Sequence, residues 1–308
     1  MENKNIKKRI FITGASGFIG RNACEYFLKK GWEVFGLVKS GKTSKDVKVV
    51  KADLLNFEKL KDKVKKIKPS VILHLGAYVV LDRDFEVAKK CIDINIKGTL
   101  NLLEVARELS LSRFIFFSTE EVYGNNKPPY KEVQVVRPPS PYSVSKVAGE
   151  NLCILYHDLY NLPIVVLRPA TTFGFYQPLY RFIPNIIIRA VKNEPILLNS
   201  GQSKRDYLYI DNLMDAVYRI VNKQKAVGEI FNIGHGNSIS GEKLARKVAK
   251  LSGSSSKIVL NSFPDRKKES KLWSMNSEKI EKLLGWKPEV SIDKNMEKTI
   301  KFYKDIQK

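Results

Sequence analysis

Apolar positions along the 308-residue chain fall into short β-type runs separated by longer stretches of helical spacing. Residues 9–12 form such a run, and residues 22–30 then place Ala23, Tyr26 and Phe27 on one helical face. Residues 33–38, 47–50, 71–75, 113–117 and 163–168 read as further buried strands, with helical patterns over 57–67 and 94–109 between them. Strands alternating with helices at this spacing predict an α/β fold with a doubly wound parallel sheet and right-handed crossovers. After Pro169 the texture changes. Pro178, Pro184, Pro195 and a turn near Gly201 break the pattern, and helices dominate from residue 242. The expected division is therefore 1–169 and a smaller mixed α/β region over 170–308. Within the latter, a helix at 211–222 and a strand at 229–233 look able to rejoin the first sheet, so about 205–233 is expected to return to it.

Between the first strand and helix lies Thr13-Gly14-Ala15-Ser16-Gly17-Phe18-Ile19-Gly20. Glycines at this spacing let the backbone turn tightly, approach a pyrophosphate without a Cβ in the way, and pack the next helix onto the strand. The position between a β-run and a helix is what a Rossmann-like dinucleotide site requires. An acid usually ends the second strand to hold the adenosine ribose of NAD. Here Lys39 and Ser40 stand after Val38, a pair able to receive a 2′-phosphate, so the expected cofactor is NAD(P), with NADP slightly favoured over NAD. Lys39 also reads as an ordinary surface lysine. Asp53 can accept from an adenine amine or cap the following helix.

Tyr142 precedes Lys146 by one helical turn. A fixed ammonium beside a phenol favours phenolate, which makes the pair a candidate acid/base unit. Just upstream, Thr119 is followed by adjacent acids, Glu120 and Glu121, which can split into acid and base if their surroundings push their pKa values apart.

Composition narrows the class. Hydrophobic residues make up 43% of the chain, enough for a substantial core. No run approaches the ~18 apolar residues of a membrane span, and the first residues lack a signal-peptide core. A cytoplasmic protein without membrane partners is expected. Cys24, Cys91 and Cys153 are widely spaced, and His74, His157 and His235 are scattered, so neither disulfides nor a metal site is expected. Lys and Arg total 54 against 32 acids, a formal charge of +22 that attracts polyanions. The lysines, however, alternate with apolar positions on helical faces and form no aromatic-interleaved cluster, so no nucleic-acid partner is expected.

The chain resembles the extended short-chain dehydrogenase/reductase family, the NAD(P)-dependent nucleotide-sugar epimerases and dehydratases, over essentially its whole length. The matching pieces are the Thr13 to Gly20 turn, Asp53-Leu54, His74-Leu75-Gly76-Ala77, Asn95 with Gly98-Thr99, Ser118 to Gly124, Tyr142 with Lys146, Leu167-Arg168-Pro169, Arg205-Asp206-Tyr207 and Leu284-Gly285-Trp286-Lys287-Pro288. The resemblance implies that Tyr142 takes the proton from a sugar 4-hydroxyl as hydride leaves C4. It gives Lys146 the nicotinamide ribose and a lowering of the Tyr142 pKa, and it lets Thr119 hydrogen-bond the same sugar oxygen. Thr119 also reads as a strand-end hydroxyl capping the next turn. The dinucleotide contacts it implies are Gly14, Ser16, Gly17, Phe18, Ile19, Gly20, Lys39, Ser40, Asp53, Leu54, Leu75, Gly76, Ala77, Asn95, Tyr142, Lys146 and Pro169. Candidate substrate contacts are Tyr78, Thr119, Thr171, Arg181, Arg205 and Arg266, the arginines suited to a nucleotide diphosphate.

In 4,6-dehydratases of this family a Glu removes the C5 proton and the preceding residue assists loss of the C6 hydroxyl, which would be Glu121 and Glu120 here. A 4,6-dehydratase stands slightly ahead of a 4-epimerase. A C4 oxidase or ketoreductase, a non-catalytic RNA- or protein-binding relative, and two merely exposed loop acids remain as alternatives. The resemblance further suggests a homodimer through the helices containing 95–109 and 144–159.

Overall fold

The β-type runs assemble into a parallel sheet. The computed structural model describes residues 8–80, 82–265, 270–288 and 292–306. The first strands are β1 (Arg9–Thr13), β2 (Glu33–Val38), β3 (Lys48–Lys51), β4 (Val71–His74), β5 (Arg113–Phe117) and β6 (Ile164–Pro169). They lie side by side in the order β3-β2-β1-β4-β5-β6, and every neighbouring pair is parallel. Strand order reverses between β1 and β4, which opens a crevice at the carboxyl ends of the strands.

Helices cover both faces. The short α3 (Phe85–Lys90) follows β4, and on one face α2 (Phe57–Ile67), α4 (Gly98–Arg107) and α5 (Pro141–Tyr160) bury Leu60, Val64, Leu102, Leu103 and Cys153 against the sheet. Local chemistry sets their ends. Asn56 accepts from the Lys59 amide to start α2, and Ser140 and Ser143 form a reciprocal capping box with Pro141 at the first helical position of α5. Each such cap stabilises its helix by about 1 kcal/mol. On the other face, α1 (Phe18–Lys29) buries Ala23 and Phe27.

The remaining elements are β7 (Thr171–Phe173), α6 (Phe182–Val191), β8 (Ile196–Leu197), β9 (Lys204–Tyr209), α7 (Ile210–Asn222), β10 (Ile230–Ile233), β11 (Ser238–Ser240), α8 (Gly241–Ser252), β12 (Ile258–Val259), α9 (Glu278–Leu284) and α10 (Ile292–Ile306). β10 pairs with β6 and completes a seven-stranded sheet, while β9 joins β7 and β11 in a separate three-stranded sheet. α7 packs against α1, and its apolar face, including Ala216, Val217 and Ile220, shares one continuous core with α6, α8 and α10. The sheet ends at β3, whose Lys48 and Lys51 flank Val49 and Val50 along the outer edge.

Two elements differ from the sequence pattern. α1 begins at Phe18 rather than residue 22, because Gly17 adopts the extended N-cap conformation and the last glycine of the turn already lies inside the helix. The helical pattern over 94–109 divides into a π-helical turn, Cys91–Lys97, and α4. Such wide turns re-aim side chains and concentrate at functional sites. Here the re-aimed side chain is Asn95.

Candidate active site

The dinucleotide end of the crevice is shaped by backbone. Gly14 has φ +66°, and a Cβ added there would lie 3.0 Å from the Gly76 backbone. At Gly20 a Cβ would lie 2.1 Å from the Gly14 carbonyl, so only glycine lets α1 sit this close to the turn. A Cβ at Gly17 would meet only the Gly14 carbonyl, at 3.3 Å, leaving its outer side open. Phe18 and Ile19 form the first turn of α1, with the helix N-terminus facing the crevice. These features fit a dinucleotide pyrophosphate.

Below this turn, a hydrogen-bond chain ties β1, β4 and the π-helical turn together. Thr13 Oγ1 accepts from the Leu75 and Gly76 amides at 3.0 and 2.8 Å and lies 2.8 Å from His74 Nδ1. With those acceptances made, the Thr13 proton points at Nδ1. His74 Nε2–H then donates to Thr99 Oγ1 at 3.0 Å, and Thr99 donates to the Asn95 carbonyl at 2.5 Å. Full burial pulls the His74 pKa down to about 3, so the ring is neutral and acts as a strut. Asn95 in turn accepts from the Tyr78 amide at 2.7 Å and donates to the Tyr78 carbonyl at 3.0 Å and to Ser145 Oγ at 2.8 Å. The loop bearing Gly76, Ala77 and Tyr78 is thereby fastened to α5.

At the adenosine end, Ser16 donates to the Ser40 carbonyl at 2.8 Å. Lys39 forms an ion pair with Asp53 at 2.8 Å, and Asp53 also accepts from the Leu55 amide. Hydrogen bonding to Lys39 holds the Asp53 carboxyl below its ordinary range. Asp53 is not the cap of α2, a task Asn56 performs. Leu54 packs against Gly98, and Pro169 closes β6 at the same end of the sheet.

Tyr142 and Lys146 lie on the first turns of α5, both almost fully buried. Lys146 Nζ donates to the Phe117 carbonyl at 2.7 Å, and burial pulls its pKa down to about 8. The Thr119 side chain lies beside the Tyr142 hydroxyl. Its pKa is pushed up, first by burial and then by the negative charge of Glu121, with Arg181 and Thr119 opposing. This departs from the expectation that Lys146 lowers it: the ammonium is directed at a main-chain oxygen, and desolvation of the phenol dominates. Thr119 does both things read for it, since its Oγ1 also accepts from the Glu121 amide at 3.2 Å as the cap of a 3₁₀ turn, Glu120–Tyr123.

The adjacent acids have different surroundings. Glu121 Oε1 accepts from Ser140 Oγ at 2.5 Å, so the cap of α5 also anchors this carboxylate. Glu120 is 4% exposed, and burial pushes its pKa up to about 8 against the opposing pull of Arg205. Its Oε1 accepts from Thr171 Oγ1 at 2.6 Å and lies 3.9 Å from Arg205 Nη1. Its Oε2 is buried without a hydrogen-bond partner among the described residues. Burial thus favours the protonated form of Glu120, whose Oε2 is the oxygen without a partner. Arg205 stacks over Trp273, 5.0 Å from the ring centroid. Arg181 precedes the first turn of α6, and its side chain reaches the Val79 carbonyl at 3.4 Å, while Tyr78 packs beside Tyr142, Val87 and Cys91. Arg266 lies outside the described residues.

A crevice with an open glycine turn at one end and a Tyr, Lys, Thr and paired acids at the other has the parts for dinucleotide-dependent proton and hydride chemistry. The model of the NAD-dependent epimerase/dehydratase family matches residues 10–234. The chain belongs to that family. This epimerase/dehydratase is 31% identical to UDP-glucuronate 4-epimerase of Thermodesulfobacterium geofontis, over 96% of this chain and 95% of that protein. It is 26% identical to dTDP-glucose 4,6-dehydratase of Haemophilus influenzae, over 96% of this chain and 97% of the relative. Among solved structures, UDP-glucuronic acid 4-epimerase from Bacillus cereus, in complex with UDP-glucuronic acid and NAD, superposes with a TM-score of 0.88 at 27% identity, covering 97% of this chain and 99% of that one.

The sequence reading missed two parts of this epimerase/dehydratase. Ser140 was not singled out, although Ser140-Pro141 with Ser143 three residues on from the cap spells a capping box, which places Ser140 at the mouth of α5. The Thr13–His74–Thr99 strut left no local signal, because its members meet only when β1, β4 and α4 come together. Cys24, Cys91 and Cys153 are free and buried. Among the described residues no His, Cys, Asp and Glu group could hold a metal, and no helix is long and apolar enough to cross a membrane.

Proposed function

We propose that the protein is a nucleotide-sugar 4,6-dehydratase. The observation that carries this reading is the pair Glu120 and Glu121: a carboxyl whose burial favours its protonated form and whose Oε2 has no partner among the described residues, beside a carboxylate anchored by Ser140. When bound, the dinucleotide supplies the hydride acceptor and a positive charge. With that positive charge beside it, Tyr142 would ionise despite its burial and, next to Thr119, take the proton of the sugar 4-hydroxyl as C4 becomes a ketone. The ketone acidifies the C5 hydrogen, which Glu121 removes. Glu120 gives its proton to the C6 hydroxyl, which leaves as water. Return of hydride to C6 and of the C5 proton from Glu121 yields a 4-keto-6-deoxy sugar, and the proton held by Tyr142 balances the one lost by Glu120. Lys146 and Asn95 hold the dinucleotide side, and Arg205 and Arg181 supply charge for the diphosphate and sugar.

The dinucleotide proposed is NAD. The tilt toward NADP rested on Lys39 and Ser40, and Lys39 is already paired with Asp53, whose carboxylate would repel a 2′-phosphate.

A 4-epimerase acting on a nucleotide-linked uronic acid is the second reading. It is favoured by the charge of Arg181 close enough to lower the Tyr142 pKa, which suits a carboxylate at C6, and by the UDP-glucuronate 4-epimerase relative. Mass spectrometry of UDP-, GDP-, dTDP-, CDP- and ADP-hexoses and UDP-glucuronate incubated with protein and NAD tests both. Loss of one water from one sugar is the expected result. A product of unchanged mass and new retention time replaces the dehydratase with the epimerase. A homodimer is also proposed, since Leu100 of α4 and Val144, Leu155 and Leu159 of α5 are exposed apolar side chains on packed helices. A monomer by light scattering removes it.

A further inference from the structure

The loop that follows β7 is fastened to the dinucleotide side of the molecule by a contact the chemistry above does not use. Tyr176 has φ +66°, a conformation a bulky residue rarely adopts and keeps only where its surroundings hold it. Its hydroxyl donates to Glu25 Oε1 of α1 at 2.8 Å, and Ser44 Oγ donates to the same oxygen at 2.9 Å. One turn earlier on α1, the Arg21 guanidinium lies 3.8 Å from the Tyr176 ring centroid. Asn22 donates to the Phe175 carbonyl at 2.8 Å.

Each arm of this node leads to one half of the crevice. Ser44 belongs to the segment 39–46, which follows β2, carries Lys39 and Ser40, and is tied by the Ser16–Ser40 hydrogen bond to the glycine-rich turn. In the chain Tyr176 sits between Thr171, which holds Glu120, and Arg181, which precedes α6 and whose charge acts on Tyr142. One carboxylate oxygen thus joins the adenosine-side loop to the substrate-side loop, on a helix whose N-terminus faces the pyrophosphate.

We propose that Glu25 and Tyr176 are positioning residues that couple the two halves of the crevice: a dinucleotide that orders segment 39–46 also orders residues 171–181, so that the sugar nucleotide meets a preformed site. The coupling rests on the dinucleotide site and on the substrate role of the 171–181 loop. It follows from linkage that any such ordering is reciprocal. The side chains involved touch neither reacting partner.

Hydrogen exchange by mass spectrometry on the full chain, with and without saturating NAD, tests it without a sugar substrate. In the wild type NAD is expected to slow exchange both in residues 13–46 and in residues 171–181. In Tyr176→Phe and Glu25→Gln the slowing is expected to persist in the first segment and to fall to near nothing in the second, with melting temperatures confirming a folded protein. Ser44→Ala should give the same split with Tyr176 and Glu25 intact. Equal slowing of 171–181 in wild type and variants overturns the proposal, as does no slowing of 171–181 in the wild type. Absence of slowing in 13–46 would overturn the dinucleotide site itself, and the coupling with it, whereas an assignment as epimerase instead of dehydratase leaves this experiment unchanged. In steady state the variants should raise KM for the sugar nucleotide about tenfold, a typical coupling magnitude, with kcat nearly unchanged. A fall in kcat at unchanged KM would also overturn it.

Discussion

The two ends of the crevice are built from different materials. The dinucleotide end is backbone: Gly14 and Gly20 approach their neighbours too closely for any side chain, and the Thr13–His74–Thr99 strut fixes the adjacent loop through main-chain groups. The proposed sugar end is side-chain charge: Arg205 pulls on the buried Glu120, while Glu121 and Arg181 act in opposite directions on Tyr142. A backbone site tolerates no substitution but makes little distinction among chemistries. A site made of charges can change its reaction by changing one carboxyl group, and both an epimerase and a dehydratase stand among its relatives.

The largest expected effect lies where the ends meet. Tyr142→Phe removes the proton acceptor and should reduce kcat by about 10²–10⁴-fold with NAD affinity nearly intact, as read by turnover and dinucleotide titration. Gly20→Ala should break the backbone end: the added methyl forces a shift costing about 1–3 kcal/mol and abolishes NAD binding, seen together in a melting curve. Loss of activity without either change would undo the distinction drawn above.

At the sugar end the acids should separate. Glu121→Gln is expected to leave oxidation at C4 intact while dehydration slows about 100-fold, so that solvent deuterium no longer enters C5. Incorporation at the wild-type rate would remove Glu121 as the base. Glu120→Gln tests the buried proton through pH. Because the folded pKa is raised to about 8, the native state holds this proton where the unfolded chain, with the ordinary 4.5, has lost it. Wild-type stability should therefore fall as pH rises from about 4.5 to 8, and the variant should lose that part of the slope. His74 acts in the opposite direction: with a pKa near 3 against 6.5 unfolded, its contribution is present above 6.5 and lost as pH falls toward 3. The smallest effect is that of Thr171→Val. Removing the hydrogen bond that lowers the Glu120 pKa should move the alkaline limb of the rate profile slightly upward.

How much of this was legible in the chain follows the same division. β1, the glycine turn and the Tyr142–Lys146 spacing are written in contiguous residues, so local pattern finds them. The ionisation of Glu120 depends on Thr171, 51 residues away, and on Arg205, and no window of sequence joins them. Lys39 shows the same: its neighbours in sequence do not reveal that the fold pairs it with Asp53. The raised Tyr142 pKa is another case, since spacing reveals a nearby ammonium but not the desolvation that outweighs it.

The outermost strand has a consequence for the protein in bulk. An open sheet edge offers unpaired amides to any passing strand, and β3 is such an edge. It is only four residues long, with Lys48 and Lys51 at its ends, on a chain of formal charge +22. Lys48 is paired with Glu33, so a second copy approaching edge to edge meets the exposed Lys51 and the chain's excess positive charge before it meets a hydrogen-bond donor. The excess positive charge thus works as a barrier to fibril-like self-association, one that rising salt should weaken.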